Sequence, residues 1–306
     1  MTKGPTRNLA ASVQQRLLNL ARERNEEYNL LLQRYVMERL LYRLSRSAHE
    51  KDFVLKGAVL FSIWSQEPHR ATRDIDLCGK GSPDLDRLKA VFLVIIGTQV
   101  EDDGLTFLSE SIQVSRIRED AEYEGVRVDL EARLGNARIK QQVDVGFGDA
   151  ITPRPVKTDL PTLLAMPYPR LWTYPRETVI AEKCQAMVML GMANSRMKDF
   201  YDVHCLAQTF DFDGGVLGKA LKATFRRRKT DIPTTEPIAL TPTFSTDTSK
   251  QAQWHAFLRK TRASRSDLAL PAVVEALHGF LWLPLQAQTL DRPFSGHWQV
   301  GGPWIA

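Results

Sequence analysis

FVLKGAVLFSIWSQEPHRATRDIDLCG, residues 53 to 79, decides the fold. Its first four residues are an apolar run that reads as a buried strand. Gly57 turns the chain, and the apolar stretch beyond it reads as a helix. ATRDIDLCG (71–79) reads as a second strand. Residues i and i+2 of a strand point to one face, so Asp74 and Asp76 present both carboxylates to one spot while Ile75 and Leu77 face a core. Like charges held that close need something positive between or beside them. Two partners are open: an arginine or lysine, giving an ion-pair cluster, or Mg²⁺, a hard ion satisfied by carboxylates plus substrate phosphates. Upstream, Lys56-Gly57-Ala58 lies where a strand passes into a helix. Backbone amides at such a junction bind phosphate, and Gly57 lets the chain approach closely. The 17 positions from Gly57 to Asp74 leave room for a helix and a turn. Strand, glycine turn, helix and DxD strand form a set able to position phosphates and a bridging metal for phosphoryl or nucleotidyl transfer.

Working outward, SPDLDRLKAVFLVII (82–96) reads as a capped helix, and three β-rich runs follow near 105–117, 123–134 and 137–147. The expectation is an α/β (α+β) core with a mixed sheet. Before it, residues 12–47 repeat apolar positions at spacings of three and four, which predicts one or two amphipathic helices with Ser12 as N-cap. Arg39, Arg43 and Arg46 read as a solvated basic side of that helix. After the core, 157–175 is punctuated by Pro161, Pro167, Pro169 and Pro175, with Pro155 nearby, and reads as a connector. Beyond it the pattern is helical: ETVIAEKCQAMVMLGM, KDFYDVHCLAQTF, and segments near 214–227, 249–261 and 270–282. KTDIPTTEPIALTPTFSTDTSK (229–250) reads as an exposed loop. The tail, TLDRPFSGHWQVGGPWIA, reads as an irregular segment docked through its tryptophans. Two domains are expected: 1–155, N-terminal helices plus the α/β core, and 156–306, mostly helical and completing the active site.

Composition narrows the class. At 306 residues and 43% hydrophobic, the chain can bury a sizeable core. Its 41 Lys and Arg against 36 Asp and Glu permit a polyanionic partner without requiring one. Cys78, Cys184 and Cys205 fit neither a CxxC metal pattern nor an even disulfide framework, so they read as reduced. The start lacks the apolar run of a signal peptide, and no apolar stretch reaches transmembrane length. Together these place the protein in the cytoplasm, away from membranes.

Further candidates lie downstream. QQVDVGFGD (141–149) alternates like a strand, so Asp144 brings a third carboxylate to the metal face or is a sheet-edge aspartate. Lys183 sits in an apolar helix, where a charge is costly unless it is paired or faces a cleft. SRMKDFYDVHCL puts Arg196, Lys198, Asp199 and Asp202 on about two helical turns, with the two aspartates on one face; a salt-bridged helix start is the plain alternative. His204, alone in an apolar helix, reads as a core residue. RRRK (226–229) reads as a solvated charge run, with a contact to RNA phosphates and 2′-hydroxyls as the second reading.

FVLKGAVLFSIW, RATRDIDL, VDVGFGD, AEKCQAMV and NSRMKDFYDV, in this order, resemble the motifs of the AbiEii/MenT nucleotidyltransferase family, the toxin halves of bacterial toxin–antitoxin and phage-defence pairs. The similarity spans roughly residues 12 to 210 and includes ERLLYRLSRS. It implies a nucleotidyltransferase-like α/β core and a helical C-terminal part. It also implies transfer of nucleotides from an NTP to RNA, notably the 3′ acceptor end of tRNA, which blocks charging and translation. By the same resemblance Gly57 and Ala58 match the phosphate-binding turn, although many relatives carry a small polar residue or glycine in place of Ala58. Asp74 and Asp76 match the metal-binding pair, with Mg²⁺ as the ion and Mn²⁺ as substitute. Lys183 matches the essential lysine, assigned to the triphosphate and the leaving pyrophosphate. Asp199 matches the last acidic residue, which orients Lys183 or helps the attacking hydroxyl lose its proton. Lys56, Arg73, Arg196 and Lys198 flank these motifs as candidate phosphate contacts. Arg73 points opposite to Asp74 on an ideal strand, which leaves it a structural role too. A cognate antitoxin is implied by kinship. Two other readings stay open: a nucleotidyltransferase acting on a protein or small molecule, and an inactive RNA- or partner-binding scaffold.

Overall fold

The structure is a computed structural model and describes residues 8–65, 70, 72–118, 124–261, 267–290 and 292–306. Helix α1 (Leu9–Arg24) is capped by Asn8, whose side chain accepts from the Ala11 amide at 3.1 Å. The expected cap, Ser12, lies inside the helix with its own amide bonded to the Asn8 carbonyl. The helix thus starts a turn earlier, and a residue within it has no end to cap. Asn25, at φ 51°, ends α1 in the left-handed conformation that Asn tolerates, and α2 (Tyr28–Arg46) follows.

The solvated basic side expected on α2 is corrected. Arg39 and Arg43 are 1% and 7% exposed, and only Arg46 of the three faces solvent. Arg43 grips Asp103 through bonds of 2.6 and 3.1 Å, and Arg39 donates to the Pro167 carbonyl at 2.5 Å. Both lie among Tyr35, Val36 and Leu40, which are buried. The helix face that buries those side chains carries the arginines in with them, and each charge must then find an acceptor.

Strand β1 (Phe53–Lys56) runs into a 3₁₀ turn (Gly57–Leu60) and the single-turn helix α3 (Phe61–Trp64). Strand β2 is Asp74–Gly79. Ala71, the first residue of the expected strand, lies outside the described residues, and Arg73 precedes the strand instead of alternating with Asp74 along it. Helix α4 (Leu85–Ile96) is capped by Asp84, which accepts from the Arg87 amide at 2.7 Å. The three β-rich runs become β3 (Leu105–Arg118), β4 (Glu124–Leu134) and β5 (Ala137–Phe147); residue 123 is outside the described set.

Residues 156–173 depart from the expected connector. β6 (Val156–Asp159) and β7 (Arg170–Thr173) pair antiparallel, and β7 runs parallel to β1. Every proline of this stretch falls outside VKTD and RLWT, so neither short strand loses a ladder donor. Among the described residues the sheet has seven strands in the order β3-β4-β5-β2-β1-β7-β6, with β2 and β5 also parallel. Its apolar face, including Ile75, Leu77 and Val143, meets Leu40, Leu41 and Leu44 of α2 and Phe92 and Ile95 of α4. Val13, Leu17, Leu31 and Tyr35 of the first two helices continue that core against Leu105, Ala132, Leu134 and Ile139. The other face carries the polar side chains.

The chain forms two compact units, Met1–Gly148 with Val156–Thr173, and Asp149–Pro155 with Tyr174–Ala306. The boundary expected at 155/156 therefore gives way to a double crossing, because β6 and β7 belong to the sheet. The second unit is built on α5 (Arg176–Leu190), α6 (Met197–Thr209), α7 (Gly214–Arg227), α8 (Pro242–Ser245), α9 (Thr248–Thr261) and α10 (Leu270–Thr289). β8 (Phe212–Asp213), β9 (His297–Trp298) and β10 (Trp304–Ile305) form a small second sheet. The 229–250 stretch is not the exposed loop expected: Ala239, Leu240, Phe244 and Lys250 are buried, and Phe244 stacks on Phe200. Its apolar residues, spaced among Thr and Pro, dock a short helix that periodicity over so few residues does not reveal. The tail docks as expected, with the indoles of Trp298 and Trp304 donating to the Ala207 and Phe280 carbonyls at 2.8 and 2.9 Å. No helix among the described residues is long and apolar enough to cross a membrane.

Candidate active site

Strand register assembles the first cluster. Asp76 pairs with Lys56 of β1 on one side and Asp144 of β5 on the other, and Asp144 pairs with Arg127 of β4. Cross-strand partners share a face, so Lys56, Asp76, Asp144 and Arg127 form one row across four strands. Asp74, Gln142 and Asp129 form the next row on the same polar face. The period of two thus places Asp74 and Asp76 together as expected, and the sheet adds neighbours from far along the chain.

The glycine turn sits against this row. Gly57 has φ +74°, and a Cβ built there would lie 2.7 Å from Asp76 Cγ and closer still to its Oδ2. Only a hydrogen fits between the turn and the carboxylate, and only glycine takes that φ without strain. Ala58 is buried at the start of the 3₁₀ turn. The helix expected after the glycine is a 3₁₀ turn followed by one α-turn, so local amides, with little macrodipole behind them, are what this junction offers a phosphate.

Asp144, the third carboxylate of this face, is engaged by its neighbours on β4 and β5. Arg127 Nε and Nη2 donate to its two oxygens, both at 2.9 Å, and Gln142 adds bonds of 3.2 Å. Hydrogen bonding to Asp144, with attraction from Asp144, Asp129 and Asp74, outweighs desolvation and holds the Arg127 proton more tightly than usual. Among the described residues no group of three or more His, Cys, Asp or Glu is arranged to hold a metal ion. Asp74 and Asp76, side by side on the face that Gly57 approaches, are a carboxylate pair of the kind that suits Mg²⁺, which is held through one or two carboxylates and completes its shell with phosphates and water. Arg127 was not legible beforehand; in VRVDLEARL nothing marks one arginine as a strand-to-strand clamp.

The second cluster lies in the helical unit. Lys183 of α5 donates to Asp199 at 2.6 Å and lies 2.9 Å from Asp202, both on α6. Arg196 Nε is 2.9 Å from the other oxygen of Asp199. Both aspartates are wholly buried, whereas the Lys183 side chain keeps 14% of its surface exposed. Desolvation pushes the Asp199 carboxyl upward, and attraction to Lys183 and Arg196 overrides it, leaving the group below the ordinary carboxylate range. The pairing demanded by a lysine in an apolar helix is therefore met, by two carboxylates. Asp202 had a visible signal, its three-residue spacing from Asp199, yet only the fold shows that both reach one ammonium. Asp199 is thus enclosed and shared between two cations, Lys183 and Arg196. Lys198 is exposed at the start of α6, Arg73 is exposed before β2, and His204 is buried in the core of its helix as expected.

A family model described as "Nucleotidyl transferase AbiEii toxin, Type IV TA system" matches residues 39–279. Among solved structures, JHP933 from Helicobacter pylori aligns at 13% identity and a TM-score of 0.48, covering 85% of this chain and 96% of its own. A second H. pylori chain, provisionally described as a nucleotidyltransferase, aligns at 13% identity and 0.46, covering 87% and 95%. Comparison with curated protein sequences finds no match.

Proposed function

The chain belongs to the AbiEii family of nucleotidyl transferase toxins, of type IV toxin–antitoxin systems, and on that premise we propose that it transfers nucleotides from an NTP to the 3′ acceptor end of tRNA, blocking aminoacylation and translation. The observation that carries this reading is the contact of Gly57 with Asp76, on the face that also bears Asp74. In the proposed reaction the terminal hydroxyl oxygen of the RNA bonds to the α-phosphorus of the NTP. The bond from that phosphorus to pyrophosphate breaks, pyrophosphate leaves with the electron pair, and the hydroxyl proton passes to water. Asp74 and Asp76 would hold Mg²⁺, or Mn²⁺ in its place, and such an ion neutralises charge on the triphosphate. Amides at Gly57 and Ala58, with Lys56, orient the phosphates. Lys183, fixed by Asp199 and Asp202, balances charge that builds on the departing pyrophosphate. Arg196 and Lys198, and Arg73 on the other unit, are further phosphate contacts in this reading. Transfer of the tRNA acceptor from the family to this chain rests on the resemblance of motifs, as does a cognate antitoxin.

The test is incubation of purified protein with Mg²⁺, tRNA and each NTP separately, followed by mass spectrometry of the tRNA 3′ ends. Added nucleotides at the acceptor end are expected, and Asp76→Ala is expected to abolish them with its circular dichroism unchanged. Label that enters a lysate and resists nuclease would move the acceptor to a protein or small molecule. Absence of transfer to any RNA with all four NTPs would overturn the RNA assignment.

A further inference from the structure

The chain's positive charge is concentrated in one segment, α7 and the three residues that follow it. Residues 214–230 hold six of the 41 basic residues and none of the 36 acidic ones; the rest of the chain has 35 basic against 36 acidic and no positive excess. Folding sorts these six. Arg228 turns inward, where it donates to Gln185 at 2.8 Å and lies 3.4 Å from Glu182. Lys219, Lys222, Arg226, Arg227 and Lys229 are exposed. On the opposite side Leu217, Leu221 and Phe225 are buried. Lys219, Lys222 and Arg226 follow one another at three- and four-residue spacing, a single stripe of about 10 Å along α7.

Helix-end electrostatics accounts for part of this pattern, since cations near a C-terminus are favourable. It does not reach Lys219 and Lys222, which lie in the middle of the helix. Nor does the stripe resemble a protein-docking face, which carries aromatic or large apolar anchors at its centre. The partly exposed residues that flank these bases on the helix surface are small: Gly215 and Ala223. A row of exposed cations with no apolar anchor between them complements a phosphate backbone, which is bound through neutralised charge rather than burial.

We propose that α7 is the surface on which the acceptor RNA's phosphate backbone docks, with Lys219, Lys222 and Arg226 as its contacts. The proposal rests on the reading that RNA is the acceptor. Residues Gly57, Asp74, Asp76 and Lys183 would then act on the nucleotide, and α7 would set affinity for the RNA without touching the chemistry.

The experiment compares wild type, the triple variant Lys219→Glu/Lys222→Glu/Arg226→Glu, and a charge-matched control, Arg22→Glu/Arg24→Glu/Lys89→Glu, all at exposed positions. Fluorescence anisotropy with labelled tRNA over a salt series is read beside steady-state transfer. For the α7 variant, affinity at low salt should fall at least about tenfold, and the slope of log K against log salt should shrink by about two to three. KM for tRNA should rise, with KM for the NTP and kcat held. The control should behave as wild type. If wild type transfers to tRNA and the α7 variant keeps its affinity and slope, the docking surface is overturned while the RNA reading stands. Equal losses in both variants would trace the effect to net charge and also overturn it. Binding of an acidic protein lost in the variant, with tRNA binding intact, would assign α7 to a protein partner instead. A wild type that neither binds nor labels tRNA would overturn the RNA reading, and the docking surface with it.

Discussion

Gly57 and Asp76 illustrate how a single hydrogen atom sets the geometry of a site. Placing a methyl group at Gly57 asks an L-residue to hold φ +74° and drives carbon into the Asp76 carboxylate. Gly57→Ala should therefore lose most transfer activity and about 1–2 kcal/mol of stability from the backbone alone, read as a lower urea midpoint. Lys183 makes a different kind of prediction. Its removal takes the ammonium away from Asp199 and Asp202, both wholly buried, and breaking a buried ion pair by deleting one partner costs about 3–5 kcal/mol. Lys183→Ala should lower the urea midpoint accordingly as well as abolish transfer. Lys183→Arg keeps a cation between the carboxylates, so it should recover most of the stability while transfer stays impaired, which separates the structural part of the lysine from its chemical part. These residues were visible in the sequence because their types are unusual for their surroundings: a glycine between apolar runs, two aspartates on an apolar strand, a lysine in an apolar helix.

At the scale of elements, α2 and the 160–169 segment are joined by adjacent charged residues. Glu38 accepts from the Leu163 amide at 2.9 Å and from Arg34 at 3.1 Å, while Arg39 holds the Pro167 carbonyl. Burial raises the Glu38 carboxyl to about 7, against the pull of Arg34. A carboxyl held above its unfolded value binds its proton more tightly in the native state. Its contribution to stability is thus full below about pH 4.5 and is lost as pH rises through about 7. The change amounts to about 3 kcal/mol. Urea denaturation should show that decline, and Glu38→Gln should flatten it. The tail is the second element whose attachment can be weighed. Trp298 packs on Phe280 with centroids 4.8 Å apart and bonds to Ala207. Trp298→Ala should cost about 3–5 kcal/mol and be visible as a drop in melting temperature. Helices α4, α5, α6 and α7 were legible from periodicity and caps, whereas β6 and β7, four residues each, carry too short a pattern to separate from a proline-rich connector.

The whole molecule is a nucleotidyl transferase toxin of the AbiEii family, so its defining property should appear in cells. Induced expression of the wild-type chain without an antitoxin should arrest growth within a few generations, and Asp76→Ala, expressed to the same level, should restore it. Growth followed beside immunoblotting checks both. A variant that is folded, abundant and still arrests growth would show that toxicity does not run through the proposed transfer. The uneven charge of the chain belongs to this scale as well. A formal excess of +5 spread over 306 residues is weak, but 214–230 alone holds six basic residues and no acidic one, and the proposed docking of a polyanion rests on that gathering.

Local rules were enough to determine the strand, glycine turn and DxD strand, the shared face of Asp74 and Asp76, and the positions of most helices. These follow from side-chain periods of 2 and 3.6 and from the few residues that tolerate a turn. The clamp of Arg127 on Asp144, the burial of Arg39 and Arg43, the sharing of Lys183 between Asp199 and Asp202, and the entry of 156–173 into the sheet were decided only by the tertiary structure. Each joins residues separated by 16 to 128 positions or depends on which strands become neighbours. Period fixes the direction in which a side chain points along its own element, but what it meets there depends on strand order and register, which arise when the entire core is buried at once.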